Sequence, residues 1–140
     1  YTPDVYVIKS DTSVPKLLPE SEWQKVNIIT CAAPNLRPKP SNSMNPGAGD
    51  KQAKVTDEEL AELLCSRIRR IFEIAAANDN EALILGAFGC GAFMNPPGVV
   101  AKVFAEQLKT FGSYFKAIEF AVFHTEREAQ NYNAFKAVIK

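Results

Sequence analysis

The chain has 140 residues, 46% hydrophobic and 23% charged, with 16 basic side chains balanced by 16 acidic ones. That length fits one domain with one core, and the neutral balance argues against bulk attraction to nucleic acid or an anionic membrane, so an anionic ligand must be held locally. No apolar run approaches the roughly 20 residues of a membrane span, no signal-like start is present, and Cys31, Cys65 and Cys90 form an odd set. The chain therefore reads as cytoplasmic, with free thiols in a reducing compartment.

The chain begins at Tyr1 rather than Met and runs straight into the strand-like Asp4-Val5-Tyr6-Val7-Ile8, as a fragment of a longer protein would. Val5–Lys9 predicts a first strand, and Val26–Ala32 a second that stops before Pro34. Residues 35–55 carry Pro38, Pro40 and Pro46-Gly47 and almost no large apolar side chain, which predicts a long flexible loop, either a binding lid or disordered. Thr56-Asp57-Glu58-Glu59 is a capping box, and Leu60, Leu63, Leu64, Ile68, Ile71, Phe72 and Ala75 form the stripe of the helix it opens. Arg67, Arg69 and Arg70 lie mostly off that stripe and read as a solvated face.

Glu81–Leu85 predicts a third strand, whose run Ala82-Leu83-Ile84-Leu85 suggests burial on both faces. A glycine-rich loop follows, then Asn95 as helix cap and Pro96 as first helical residue, opening a helix marked by Val99, Val100, Val103, Phe104, Leu108 and Phe111 and ending near Gly112. Ala117–Phe123 predicts a fourth strand, and the capping box Thr125-Glu126-Arg127-Glu128 a last helix with Tyr132, Phe135 and Ile139 on one face. The acidic pairs Asp57-Glu58-Glu59 and Glu126 with Glu128 are expected to be helix caps, not catalytic carboxylates. The order β-β-α-β-α-β-α predicts an α/β layered domain with a largely parallel sheet, in which ligands bind at the carboxyl ends of strands.

The glycine loop sits at such an end. Gly86-x-x-Gly89-x-Gly91 fits neither the dinucleotide fingerprint nor the Walker loop, so a nicotinamide or ATP site is disfavoured. The loop reads as a phosphate cradle beside a helix N-terminus, or as a turn in which glycines only relieve crowding. Phe88 and Phe93 flank the cradle as stacking surfaces for a ribose or base, or as core plugs. Cys90, with a thiol acidified by the helix and paired to His124 as base, is a candidate nucleophile; the blander alternative is a small residue where bulk would block the cradle. One histidine and three scattered cysteines complete no metal site, and neither metal nor cofactor is expected.

On Tyr1-Thr2-Pro3-Asp4-Val5, Ile29–Asn35, Arg67–Ile71, the loop Leu85–Phe93, Asn95-Pro96 and Phe120–Phe123, the chain resembles the microbial-type poly(ADP-ribose) glycohydrolases, a branch of the macrodomain superfamily. The resemblance spans nearly all 140 residues, and the loop with its Asn-Pro exit is its most specific part. It implies a three-layer macrodomain-like fold with a mixed, largely parallel sheet lacking its N-terminal elements, so that residues 1–140 make a single partial domain. It implies ADP-ribose or poly(ADP-ribose) as ligand, with the backbone amides of Gly89, Cys90, Gly91, Ala92 and Phe93 at the diphosphate and Gly86, Ala87, Phe88 and Asn95 as further ligand-binding residues. Phe93 would lie against the distal ribose, with Asn35 and Phe123 toward the adenine. Family members cut with a glutamate of a Gln-Glu-Glu motif after three glycines; here no Gly-Gly pair exists and the only Glu-Glu is Glu58-Glu59, so no catalytic residue is carried over. Two readings follow, a non-cutting portion of a glycohydrolase or an inactive ADP-ribose-binding module. A partial sheet also leaves an edge through which copies could self-associate.

Overall fold

The computed structural model describes residues 1–139, and its contacts divide the chain into two compact units, one of residues Tyr1–Thr30 and one from Cys31 onward. In the first unit, β1 (Thr2–Val7) pairs antiparallel with β2 (Gln24–Ile28). The register breaks between Thr2 and Val5, where Asp4 adopts φ +58° and its N–H donates to Asn27 Oδ1 at 3.1 Å. The Tyr6 and Trp23 rings meet at 6.2 Å, and Trp23 Nε1 donates to Leu18 O at 2.9 Å. Both strands lie a few residues earlier than predicted. Ile28 pairs with Thr2 and ends β2, and Ile29–Ala32 belongs to no strand.

In the second unit, α1 (Asp57–Ala77) opens on the expected capping box: Glu59 N–H donates to Thr56 Oγ1 at 3.2 Å and Thr56 N–H to Glu59 Oε2 at 2.8 Å. Leu60, Leu64, Ile68, Ile71, Phe72 and Ala75 are buried, as the stripe demands, while Leu63 is exposed. A β-α-β unit follows, in which β3 (Ala82–Leu85) pairs parallel with β4 (Ala117–Phe120) across α2 (Pro97–Phe111), and α3 (Gln130–Val138) ends the unit. The core is aromatic. Phe72 stacks on Phe111 at 5.5 Å, while Phe104 meets Phe120 edge to face at 5.1 Å and Phe135 at 6.0 Å. Such pairs add about 0.5–1.5 kcal/mol each beyond the area they bury.

The mixed α/β class stands, with two details that differ from the sequence reading. Among the described residues, four strands form two two-stranded ladders, β1–β2 antiparallel and β3–β4 parallel. β3 is not buried on both faces: Leu83 points into the core, whereas Ile84 is 78% exposed and pairs in register with exposed Glu119. An apolar run signals two-sided burial only when both faces are covered, and α2 and α3 meet β4 through the same residue, Phe120.

Two element ends also shift. β4 stops at Phe120 because Leu85 O accepts from Ala121 N–H as the last rung (2.7 Å), after which Val122 N–H turns back to Phe120 O. Thr125 caps no helix. Its Oγ1 accepts from Glu128 N–H at 3.1 Å within a turn closed by Thr125 N–H to Glu128 O, and α3 starts only at Gln130. Hydroxyl side chains support isolated turns as readily as helix starts.

Candidate functional site

The glycine loop connects β3 to α2 as two consecutive turns. Cys90 N–H donates to Ala87 O at 3.0 Å and Met94 N–H to Gly91 O at 2.9 Å. Gly89 occupies the third position of the first turn at φ +74°, the conformation that a type II turn reserves for glycine. An added Cβ there would lie 2.5 Å from Ala33 Cβ and closer still to Asn95 Nδ2, so both backbone and neighbours require glycine. At Gly91 an added Cβ would meet nothing within 4 Å. Met94, at φ +59°, holds the left-handed region without glycine's freedom.

These turns consume few of the loop's donors. Among the described residues, the N–H groups of Phe88, Gly89, Gly91, Ala92 and Phe93 donate to no protein acceptor, whereas that of Cys90 is taken by Ala87 O. Gly91 and Ala92 are exposed, and Phe88 and Phe93 are half-buried, neither core plugs nor free platforms. A run of unspent N–H groups on an exposed turn can serve an anion.

The helix contributes less than expected. Asn95 is not its cap: Pro96 holds that position and Pro97 is the first helical residue. Two prolines remove two of the four N-terminal donors, and Val99 and Val100 both donate to Pro96 O, leaving Gly98 N–H. The donors therefore come mainly from the loop.

Asn95 is instead buried, at 1% exposure. Its Nδ2 donates to Pro34 O at 2.8 Å and to Gly89 O at 3.0 Å. The segment after Cys31 thus lies against the loop, and Leu36 N–H adds a bond to Phe93 O at 3.0 Å. Arg67 holds the same segment from α1, its Nη1 donating to Ala32 O at 2.6 Å. Arg67 was expected on a solvated face; its long, half-buried side chain instead ties α1 to the wall of the loop. Neither this tie nor that of Asn95 leaves a sequence signal, since the partners lie 35 and 61 residues away.

Residues 35–55 are organised by their own polar groups. Asn35 accepts from Arg37 N–H and donates to Pro40 O, both at 3.3 Å, and Ser41 Oγ donates to Asp50 Oδ1 at 2.8 Å. Gln52 Nε2 donates to Leu36 O at 2.8 Å. Between this stretch, the start of α1 and the end of the glycine loop lies a cleft of about 530 Å³, with Leu36, Lys54, Val55, Met94 and Pro96 among its walls. Phe123, beyond β4, is 86% exposed.

The structure does not favour Cys90 as a nucleophile. Burial pushes its thiol up from an ordinary 9.0 to about 11, the opposite of what helix acidification would do, and its Sγ lies 3.8 Å from Phe88 O. His124 is engaged elsewhere, with its ring 4.0 Å from that of Tyr132. Among the described residues no three His, Cys, Asp or Glu side chains gather as a metal site would require, and no helix is long and apolar enough to cross a membrane.

No protein-family model and no curated protein matches the chain. Solved structures do. Poly(ADP-ribose) glycohydrolase of Thermomonospora curvata is 30% identical, with a TM-score of 0.78 over 98% of this chain and 45% of its own. The Deinococcus radiodurans enzyme in complex with ADP-ribose is 30% identical, with a TM-score of 0.77 over 99% of this chain and 50% of its own, and its apo form gives 0.76 over 98% and 51%. The chain is thus a structural relative of the microbial-type poly(ADP-ribose) glycohydrolases along nearly its whole length, and spans about half of theirs.

Proposed function

We propose that this chain binds ADP-ribose by its diphosphate, held by the backbone N–H groups of Gly89, Gly91, Ala92 and Phe93, as the non-cutting C-terminal portion of a poly(ADP-ribose) glycohydrolase. The observation that carries the reading is the set of unspent amides, at exposed Gly91 and Ala92 and half-buried Gly89 and Phe93, on a loop whose shape is fixed by Gly89 and Asn95. A diphosphate accepts several hydrogen bonds at once, and backbone donors fixed in advance lose little entropy on binding. Support also comes from the D. radiodurans relative, whose crystals hold ADP-ribose.

Half-buried Phe93 would flank the distal ribose, and exposed Phe123 would offer a stacking surface toward the adenine. Asn35 is a weaker adenine contact, because its carboxamide already closes the turn to Arg37 and Pro40. No acid or nucleophile for glycoside cleavage is assigned to this chain. A glycohydrolase of this kind would cut the ribose–ribose bond with a glutamate of a Gln-Glu-Glu motif, which these 140 residues do not contain. A catalytically inactive ADP-ribose-binding module shares every binding feature and differs only in having no cutting partner.

Titration of the 140-residue chain with ADP-ribose, followed by incubation with poly(ADP-ribose), tests the reading. Micromolar binding without release of ADP-ribose is expected, and a folded chain that does not bind removes it. Each ladder has only two strands among the described residues, so each strand keeps an unpaired edge. Self-association through such an edge is expected in light scattering, and a strict monomer at high concentration speaks against it.

A further inference from the structure

We infer that Asn95 is a positioning residue for the glycine loop: its buried carboxamide fixes the distance between the Ala33–Leu36 segment and the Gly89 turn, and with it the aim of the loop's unspent N–H groups. The inference rests on the cradle reading given above. A carboxamide nitrogen carries two hydrogens, and Asn95 Nδ2 gives both away, to Pro34 O at 2.8 Å and Gly89 O at 3.0 Å. At 1% exposure, it has no side-chain donor left to offer an anionic ligand directly.

The cost of keeping this residue is visible on its other atom. Asn95 Oδ1 is buried and has no hydrogen-bond partner among the described residues. An apolar side chain of similar shape would avoid that orphan acceptor but would leave the two carbonyls without the carboxamide, so the asparagine is kept for its donors. The backbone N–H of Asn95 also donates to Gly89 O at 3.0 Å, so one carbonyl accepts twice from one residue. A side-chain carbon added at Gly89 would lie 2.5 Å from Ala33 Cβ and closer still to Asn95 Nδ2, so only glycine fits between them. The wall beyond is held in turn by Leu36 N–H to Phe93 O and by Arg67 to Ala32 O. Without the carboxamide, the Gly89 turn loses its side-chain anchor, and the N–H groups of Gly91, Ala92 and Phe93 are no longer held in place through it.

The test compares the wild-type chain, Asn95→Ala and a control, Ile71→Ala, which weakens the core through α1. Ligand-free backbone amide spectra, melting temperature and ADP-ribose titration are measured on each. In folded Asn95→Ala the amide resonances of Gly89, Gly91, Ala92 and Phe93 are expected to move while those of α1 stay, with ADP-ribose binding about tenfold weaker or more. Ile71→Ala is expected to melt earlier with the loop resonances and affinity unchanged. Loop resonances that stay in place in folded Asn95→Ala overturn the inference. If that variant does not fold, the wild-type side-chain amide decides: slow exchange of both Asn95 Nδ2 protons with couplings to the Pro34 and Gly89 carbonyls supports it, and fast exchange overturns it. If the wild type fails to bind ADP-ribose, the functional reading falls, and the ligand-free spectra still decide the role of Asn95.

Discussion

Asn95 and Gly89 are joined twice: the backbone N–H and the side-chain Nδ2 of Asn95 both donate to the Gly89 carbonyl, each at 3.0 Å. A turn that needs positive φ at Gly89 is thereby locked to a segment more than fifty residues earlier in the chain, through the same carboxamide's bond to Pro34. The rigidity of the proposed cradle follows from this arrangement more than from its glycine content.

Gly89→Ala is therefore expected to be costly and Gly91→Ala mild. The first meets positive φ and two close neighbours and should destabilise the chain by about 3 kcal/mol in urea unfolding, with loss of ADP-ribose binding. The second meets open space and should change stability by less than about 0.5 kcal/mol. Equal costs at the two positions would show that the turn is not held as described.

Cys90 should be a slow thiol. With its value pushed up to about 11 by burial, little thiolate exists at neutral pH, and alkylation in the native chain should lag far behind that of a free cysteine until the pH nears 11. Because the folded value is raised, burial of the neutral thiol contributes stability that is fully present below about pH 9 and is lost as pH rises toward about 11. Cys90→Ala should remove that part of the alkaline loss. Rapid alkylation at pH 7 that spares Cys65 would reinstate a nucleophilic role.

The two threonine motifs should behave differently. Thr56→Ala removes a complete capping box from a 21-residue helix and should cost about 1 kcal/mol. Thr125→Ala breaks only a turn ahead of α3 and should cost clearly less. Chemical denaturation of both variants checks the ordering.

What the sequence revealed was mostly local. The α1 stripe and its cap, the strand-loop-helix order around Gly86–Pro97 and the aromatic core positions follow from periodicity and cap chemistry, which act over a few residues. The errors arose where a partner far along the chain decided the outcome. Asn95 has the right residue type for a helix cap, but Pro34 and Gly89 claim its side chain and Pro96 takes the cap. Arg67 looks solvated on a helical wheel, yet it reaches Ala32. β3 reads as buried on both faces because an apolar run carries no information about which faces will be covered.

The loop's ligand was legible only in part. Glycine spacing argued against two common nucleotide motifs, and the loop with its flanking segments carried the resemblance that solved structures bear out at 30% identity. Which N–H groups remain unspent could come only from the turns themselves, since Cys90 donates inside the loop while its neighbours do not.

The most direct test of the central claim is isothermal titration of the 140-residue chain with ADP-ribose, beside Gly89→Ala and with AMP as a ligand that lacks the diphosphate. Micromolar binding of ADP-ribose by the wild type, at least tenfold weaker binding of AMP and loss of binding in Gly89→Ala are predicted. A folded wild-type chain that takes up no ADP-ribose, or binds AMP equally well, would contradict the claim that this loop holds a diphosphate.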